Sequence, residues 1–277
     1  MSVAVVTDGA ASLPPDLAAA NGVTVVPLEA TMAGRTEARL TTLEELVPHI
    51  GDGVRTAGPP SGRFAAAIGD CQHGDGVLVL TVARSVSSIY QAATLGARRA
   101  PGPVRVADTG TAAGAQGLVV LAAARAARAG LALEAVEAAA RRAAAAVRLV
   151  ATLETLEYLV KGGRLPKVIG HTGGRLGVRP LLEFRAGTIR PLRPALSRAA
   201  ARRRILARWR ASRPPGAALH VAALHALAPD EASDLLQDVL EEVEPATAFV
   251  AEFGAAMVAH TGPGLVGLAW WWERTGA

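Results

Sequence analysis

The chain has 277 residues and a formal net charge of +5; 51% of the residues are apolar, only 4% are aromatic, and 29 lysines and arginines stand against 24 acidic residues. That length exceeds the roughly 100–200 residues of a usual domain, so two domains or one large α/β unit are expected. The lone cysteine, Cys71, excludes an intramolecular disulfide, and no run reaches the roughly 18 apolar residues of a membrane span, because Arg125 and Arg128 interrupt the longest alanine-rich segment.

The first residues, MSVAVVTDGA, meet Asp8 after a short apolar run with no basic stretch ahead of it, so no signal peptide and a cytoplasmic location are expected. Val3 to Thr7, Val23 to Leu28, Val77 to Thr81 and Val104 to Asp108 are nearly unbroken apolar runs, the pattern of strands buried on both faces of a parallel sheet. Between the first two, SLPPDLAAANG offers Ser12 as an N-cap, prolines for a first turn and Gly22 as a stop, which predicts a short helix. SSIYQAATLGARRA and GLVVLAAARAARAG predict longer helices, so strand and helix alternate.

In open parallel sheets ligands gather beyond the carboxyl ends of the strands, where loops converge with helix N-termini that favour anions. Asp8 and Gly9 follow the first strand; Thr81, Ser85, Ser87 and Ser88 follow another and precede the helix bearing Tyr90; Asp108 and Thr109 follow the fourth. Thr56 falls in RTAGPPSGRF, a segment rich in turn formers. Each of these hydroxyls also has a plain reading as a helix cap.

The second half changes character. Arg141 to Arg148 ends a long alanine helix, LVATL reads as a strand, and LEYLVKGGRL reads as a helix stopped by Gly162 and Gly163. In RPLLEFRAGTIRPLR, Ala186-Gly187 between two extended runs is a hairpin signal and hence a sign of antiparallel pairing. A helix from Ser197 to about Arg210, a strand in GAALHVAALH, a helix in PDEASDLLQDVLEEV, and strands in ATAFVAEF and GLVGLAW complete a second α/β region. Near the end, GAAMVAHTGPG places His260 beside Thr261 in a turn, because a Gly-Pro-Gly run ends regular structure.

VAVVTDGAASLPPDLAAANGVTVVPL resembles the opening of DegV-family proteins, and the same order of motifs continues through Thr56, SVSSIYQAA, LEYLVKGGRL, RPLLEF followed by GTIRPL, and AHTGPG, over essentially the whole chain. The resemblance implies two α/β domains, an N-terminal one (1–150) with a mainly parallel sheet and flanking helices, and a C-terminal one (151–277) with a mixed or antiparallel sheet, the ligand lying at their interface. It implies a protein that is no enzyme by itself: it buries a long-chain fatty acid and presents the carboxylate to a separate ATP-binding kinase subunit, which makes acyl phosphate for phospholipid metabolism. By the same resemblance Thr56, Ser87 and Ser88 stand where hydroxyls hold the carboxylate. Arg164, Arg198, His260 and Thr261 stand on the phosphotransfer or partner side, with Asp8 and Gly9 in support. Transient membrane contact fits such a role, and no cofactor or metal is implied.

The residue types suit that chemistry. Hydroxyl donors stabilise a carboxylate without the tight neutralisation of a bidentate arginine and leave it nucleophilic towards the γ-phosphate. At ~0.8 kcal/mol per buried methylene a long tail offers on the order of 10 kcal/mol against association costs of roughly 4–15 kcal/mol, so a dry tunnel is required. Departures from the family pattern thin the head-group donors: Gly9 stands for a serine, Ser88 and Ile89 for glycine and threonine, and TAGPP for T-S-Q-P-S. VIGHTGGRLGVRPLL is more polar and richer in glycine than the family's apolar stretch there, and His171 in it reads as solvent-facing.

A contrasting reading is a basic surface protein that binds nucleic acid or an anionic membrane. SRAAARRRILARWR carries Arg198, Arg202, Arg203, Arg204, Arg208 and Arg210 on one predicted helix, with Ile205, Leu206 and Trp209 for its inner face. Intrinsic ATP turnover is not expected, since neither KGGR nor HTGGRLG forms a phosphate loop after a strand. No H-E-x-x-H or G-x-S-x-G occurs; His220 and His225 read as structural, and the closing WWW as cover for apolar surface.

Overall fold

The computed structural model describes residues 3–32, 39–40, 54–71, 74–165 and 178–274. The four apolar runs become strands β1 (Ala4–Asp8), β2 (Val23–Val26), β6 (Val77–Thr81) and β7 (Val104–Asp108), paired all parallel in the order β2-β1-β6-β7. β6 is buried at every residue, as a central strand covered on both faces must be. Helices α2 (Ser61–Asp70) and α3 (Ile89–Ala97) pack together on one face, and α4 (Ala113–Arg128) and α5 (Leu133–Ala146) on the other; α1 (Pro15–Ala20) lies against β2, and Arg128 at the end of α4 donates to Oδ1 of Asn21, the residue that follows α1, at 3.2 Å.

The second sheet runs β10-β9-β8-β13-β11-β12, built from β8 (Arg148–Thr152), β9 (Arg179–Arg185), β10 (Thr188–Ala195), β11 (Ala217–His225), β12 (Thr247–Glu252) and β13 (Val266–Arg274). Only β11 and β12 pair in parallel. Helices α7 (Arg198–Arg210) and α8 (Pro229–Leu240) cover its outer face over a separate core that holds Ile205, Trp209, Leu219 and Trp270. The expected fold class, two α/β domains with a parallel and a mixed sheet, is what the chain forms.

Helix α4 is the joint between the two. All its residues except Arg125 and Arg128 are buried, because it touches β1 on one side and β11, β12 and β13 on the other. A helix apolar all round belongs inside a protein, and small side chains let two sheets approach it together. At Gly114 an added Cβ would lie 2.8 Å from the Ala222 Cβ, and at Gly117 it would lie 3.0 Å from the Ala11 carbonyl. Gly114→Val is therefore expected to destabilise the protein by about 2 kcal/mol through overpacking, read as a lowered thermal midpoint; an unchanged midpoint would show that this contact has slack.

The hairpin signal is realised. Ala186 and Gly187 both have positive φ (47° and 75°), the type I′ turn that matches the strand twist. Its tip crosses to the other domain, where Gly187 N–H donates to the Gly110 carbonyl at 2.6 Å.

Four expectations change. Ser12 does not cap a helix: the Asp8 carboxylate accepts from Ala10 N–H and organises a 3₁₀ turn over Gly9–Ala11, Ser12 closes that turn at φ 48°, and α1 starts on the prolines. Thr56 lies not in a turn but on β5 (Val54–Ala57), which joins β3 (Glu29–Met32) and β4 (Arg39–Leu40) in a small antiparallel sheet with no strong apolar period; the break comes after it, at Gly58-Pro59-Pro60. His260 and Thr261 end a short helix, α9 (Ala255–Thr261), closed by Gly262 at φ 72°. The expected division at residue 150 falls inside β8, because the alanine helix stops at Ala146 and Arg148 already belongs to the second sheet.

The tryptophans are part of β13 itself. Trp270 points into the outer core and Trp271 to the inner side, where it stacks on buried His220 at 4.6 Å. His220 is further held by Thr247 Oγ1 (3.0 Å) and Glu273 Oε2 (3.1 Å). His171 and its glycine-rich segment up to Gly177 lie outside the described residues.

Candidate ligand-binding site

A cavity of about 210 Å³ opens between the two sheets. A water needs only roughly 10–15 Å³ of such space, so this is far more than a packing flaw. Its wall is largely apolar, with Leu149 from β8, Leu182 and Phe184 from β9, Ile189 from β10 and Phe253 after β12. Strand alternation puts these side chains on the inner face of the second sheet.

The polar lining consists of Thr56, Ser87, Ser88, Arg164, His260 and Thr261. Four separate stretches bring them together. Strand β5 carries Thr56; the turn before α3 carries Ser87 and Ser88; and α6 (Glu157–Lys161) with its Gly162-Gly163 stop faces α9, placing Arg164 near His260. Thr56 Oγ1 and His260 Nε2 are 2.7 Å apart, a hydrogen bond between residues 204 positions apart in the chain. The Ser87 Oγ accepts from Ile89 N–H at 3.3 Å, which leaves its own proton free for a ligand. Ser88, at the start of α3, makes no side-chain capping bond. The Thr261 hydroxyl is already spent on the carbonyls of Met257 and Gly262, each at 3.2 Å.

Asp8 supports the wall rather than lining it. Its carboxylate is fully buried and accepts from Ala10 N–H (2.9 Å), Val82 N–H (2.8 Å) and the Gln116 amide (3.3 Å), and both Ala10 and Val82 are cavity residues. Burial raises its pKa to about 6 against those hydrogen bonds. Gly9 leaves room for Leu28: an added Cβ would stand 3.1 Å from the Leu28 amide nitrogen. The missing serine hydroxyl is thus matched by close packing of a wall residue.

His260 is shifted the other way. Burial, and then the Arg164 cation, lower its pKa to about 4, so it is neutral at physiological pH. The folded protein resists a proton that the unfolded chain takes up near pH 6.5, so stability from this group is full above that pH and is lost as pH falls towards 4. Asp8, whose folded pKa lies above its unfolded value, works with opposite sign: its folded form is favoured at low pH and loses ground as pH rises towards 6. The two terms oppose each other over the same window. His260→Gln is therefore expected to gain about 3 kcal/mol relative to the parent between pH 7 and pH 4, measured by denaturant unfolding at each pH; parallel curves would refute a buried neutral imidazole.

Arg198 lies outside the cavity, at the start of α7, paired with Glu154 (2.7 Å) and Glu231. Glu154 also meets Arg179 at 2.7 Å and packs against Gly264 of the HTGPG segment. The basic helix is neutralised in part: besides Arg198, Arg202 pairs with Asp238 at 2.5 Å and with Asp234, and Arg210 pairs with Glu242, while Arg204 donates to the uncharged Arg193 and Pro194 carbonyls and Arg203 and Arg208 are exposed. Its inner face is Ile205, Leu206 and Trp209, all buried as expected. This seam between α7 and α8 withdraws Arg198, Arg202 and Arg210 from the phosphate contacts that a nucleic-acid surface would use.

No helix among the described residues is long and apolar enough to cross a membrane. The family model for DegV proteins matches residues 2–273. A DegV domain-containing protein of Streptomyces coelicolor is 37% identical, over 96% of this chain and 97% of that protein. A fatty acid-binding protein of Thermotoga maritima is 28% identical over 70% of this chain and 68% of its own length. Among solved structures, that of a DegV family protein from Thermus thermophilus, described for its fatty acid binding, superposes with a TM-score of 0.88 at 30% identity, covering 98% of this chain and all of that one.

Proposed function

Because the chain belongs to the DegV family, we propose that it binds a long-chain fatty acid between its two sheets and presents the carboxylate to a separate ATP-dependent kinase subunit in the cytoplasm, which forms the acyl phosphate. The observation that carries this reading is one cavity with two characters: an apolar wall from the second sheet, and a polar cluster in which Thr56, Ser87, Ser88, Arg164 and His260 converge. The tail supplies the affinity and the hydroxyls fix the acid end. The relatives from Thermotoga maritima and Thermus thermophilus support the choice of ligand.

Arg164 changes one part of the sequence-based picture, in which alcohols alone grip the acid: a half-buried guanidinium also lines the cavity. Burial lowers its pKa, yet arginine stays protonated, so it offsets the charge of a carboxylate or an incoming phosphoryl group. Arg198, on the surface and held by two carboxylates, fits a role at the partner contact rather than at the ligand. Extraction of the purified protein and mass spectrometry should reveal a stoichiometric long-chain fatty acid. Material free of lipid that also fails to take up oleate would overturn the binding reading; lipid bound without acyl-phosphate formation by any kinase subunit would overturn the presentation step.

A further inference from the structure

The Thr56–His260 contact has a direction, and the direction decides what Thr56 offers to a ligand. A neutral imidazole carries one N–H. With the proton on Nδ1, Nε2 is an acceptor and takes the Thr56 hydroxyl proton, so Thr56 turns only lone pairs towards the cavity. With the proton on Nε2, the ring donates to Thr56 Oγ1, and the hydroxyl proton is released to donate elsewhere. Only the second arrangement attracts an anion.

The surroundings of Nδ1 select between them. Among the described residues Nδ1 has no hydrogen-bond partner, while Nε2 lies 2.7 Å from Thr56 Oγ1. Nδ1 and the Arg164 Nη1 approach one point beside Gly162, at 3.3 and 3.4 Å from where its Cβ would be. The absent side chain is what admits both groups. Arg164 is steered to that place by its own donation from Nη1 to the Gly162 carbonyl. A guanidinium has no acceptor and is positive, so it favours a lone pair on the facing ring nitrogen and disfavours an N–H dipole aimed at it.

We infer that Arg164 is a positioning residue that acts through His260: its cation beside Nδ1 holds the ring in the Nε2–H tautomer, which turns Thr56 into a proton donor aimed at the ligand's carboxylate. The lowered basicity of His260, with Arg164 as its second cause after burial, agrees with a ring that stays neutral beside a cation. The inference rests on the fatty-acid reading only for the identity of the acceptor; the tautomer belongs to the protein without ligand.

The test is a long-range proton–nitrogen correlation spectrum of the lipid-free protein labelled with ¹⁵N-histidine, at neutral pH. His260 is expected as the Nε2–H tautomer, Arg164→Lys is expected to keep it, and Arg164→Gln is expected to shift the ring to a mixture or to Nδ1–H. A parent protein in the Nδ1–H form, or an Arg164→Gln protein that keeps Nε2–H, overturns the inference. Should the glutamine variant fail to fold, the parent and the lysine variant still decide it. Oleate titrations follow separately: affinity is expected to fall roughly ten-fold or more in Arg164→Gln, the scale of one hydrogen bond to a charged group. Absence of oleate binding in the parent would sink the fatty-acid reading while leaving the tautomer result standing.

Discussion

Replacing Thr56 and Ser87 together by alanine is expected to lower long-chain fatty-acid affinity by roughly a hundred-fold or more, since each hydrogen bond to a charged group is worth about 1.5–3 kcal/mol. Both hydroxyls line the cavity, and among the described residues neither side chain is tied into the fold by more than one bond: Ser87 Oγ accepts one weak bond from Ile89 N–H at 3.3 Å, and Thr56 Oγ1 bonds the His260 ring. The folding cost is expected to stay near about 1 kcal/mol, the ordinary worth of such neutral bonds. Calorimetry with oleate measures the first quantity and thermal unfolding the second. Affinity that does not move in a folded double variant would take the acid end of the ligand away from these residues, and with it the proposed polarity of the cavity.

Ala151→Phe is expected to abolish binding from the other end. Ala151 sits in the middle of β8, buried, with its side chain on the cavity wall. A phenyl ring there takes the space of several tail carbons, and losing the burial of about five methylenes at ~0.8 kcal/mol each corresponds to roughly a thousand-fold in affinity. The ring fills an existing void, so the variant should fold; Gly267 on β13 approaches the Ala151 Cβ closely, which directs the larger side chain into the cavity rather than across the sheet. Retained oleate binding in a folded Ala151→Phe protein would place the tail elsewhere. Together the two variants separate recognition of the head from burial of the tail.

The hydroxyls and the histidine differ in how far they could be read in advance. Ser87 and Ser88 were legible because they follow an apolar strand and precede a helix, the place where α/β sheets gather ligands. Thr56 was found by motif but misplaced: the turn formers after it dominate the local pattern, while β5 is four residues long and takes its shape from pairing with β3. The short helix α9 was missed because seven residues between two glycines carry too little periodicity to outweigh Gly-Pro-Gly. The wall residues of β8, β9 and β10 alternate as strand residues should, which marked a buried face without marking a cavity. Arg198, read with His260 from the same resemblance, proved to be on the outside, because α7 turns that arginine towards the acids of α8 and Glu154.

The sequence by itself determined the alternation of strand and helix, the change from parallel to antiparallel pairing, the type I′ hairpin and the family, because those follow from short-range rules: which residues tolerate burial on two faces, which admit positive φ, and how often apolar side chains recur. Only the tertiary structure decided the rest. That Thr56 meets His260 across 204 residues, that Gly162 lets Arg164 and the ring share one space, and that Asp8 anchors two wall residues by their amides are outcomes of two sheets closing on one small-residue helix. Such contacts depend on distances of a few tenths of an ångström between segments with no local relation to one another, and no pattern along the chain encodes them.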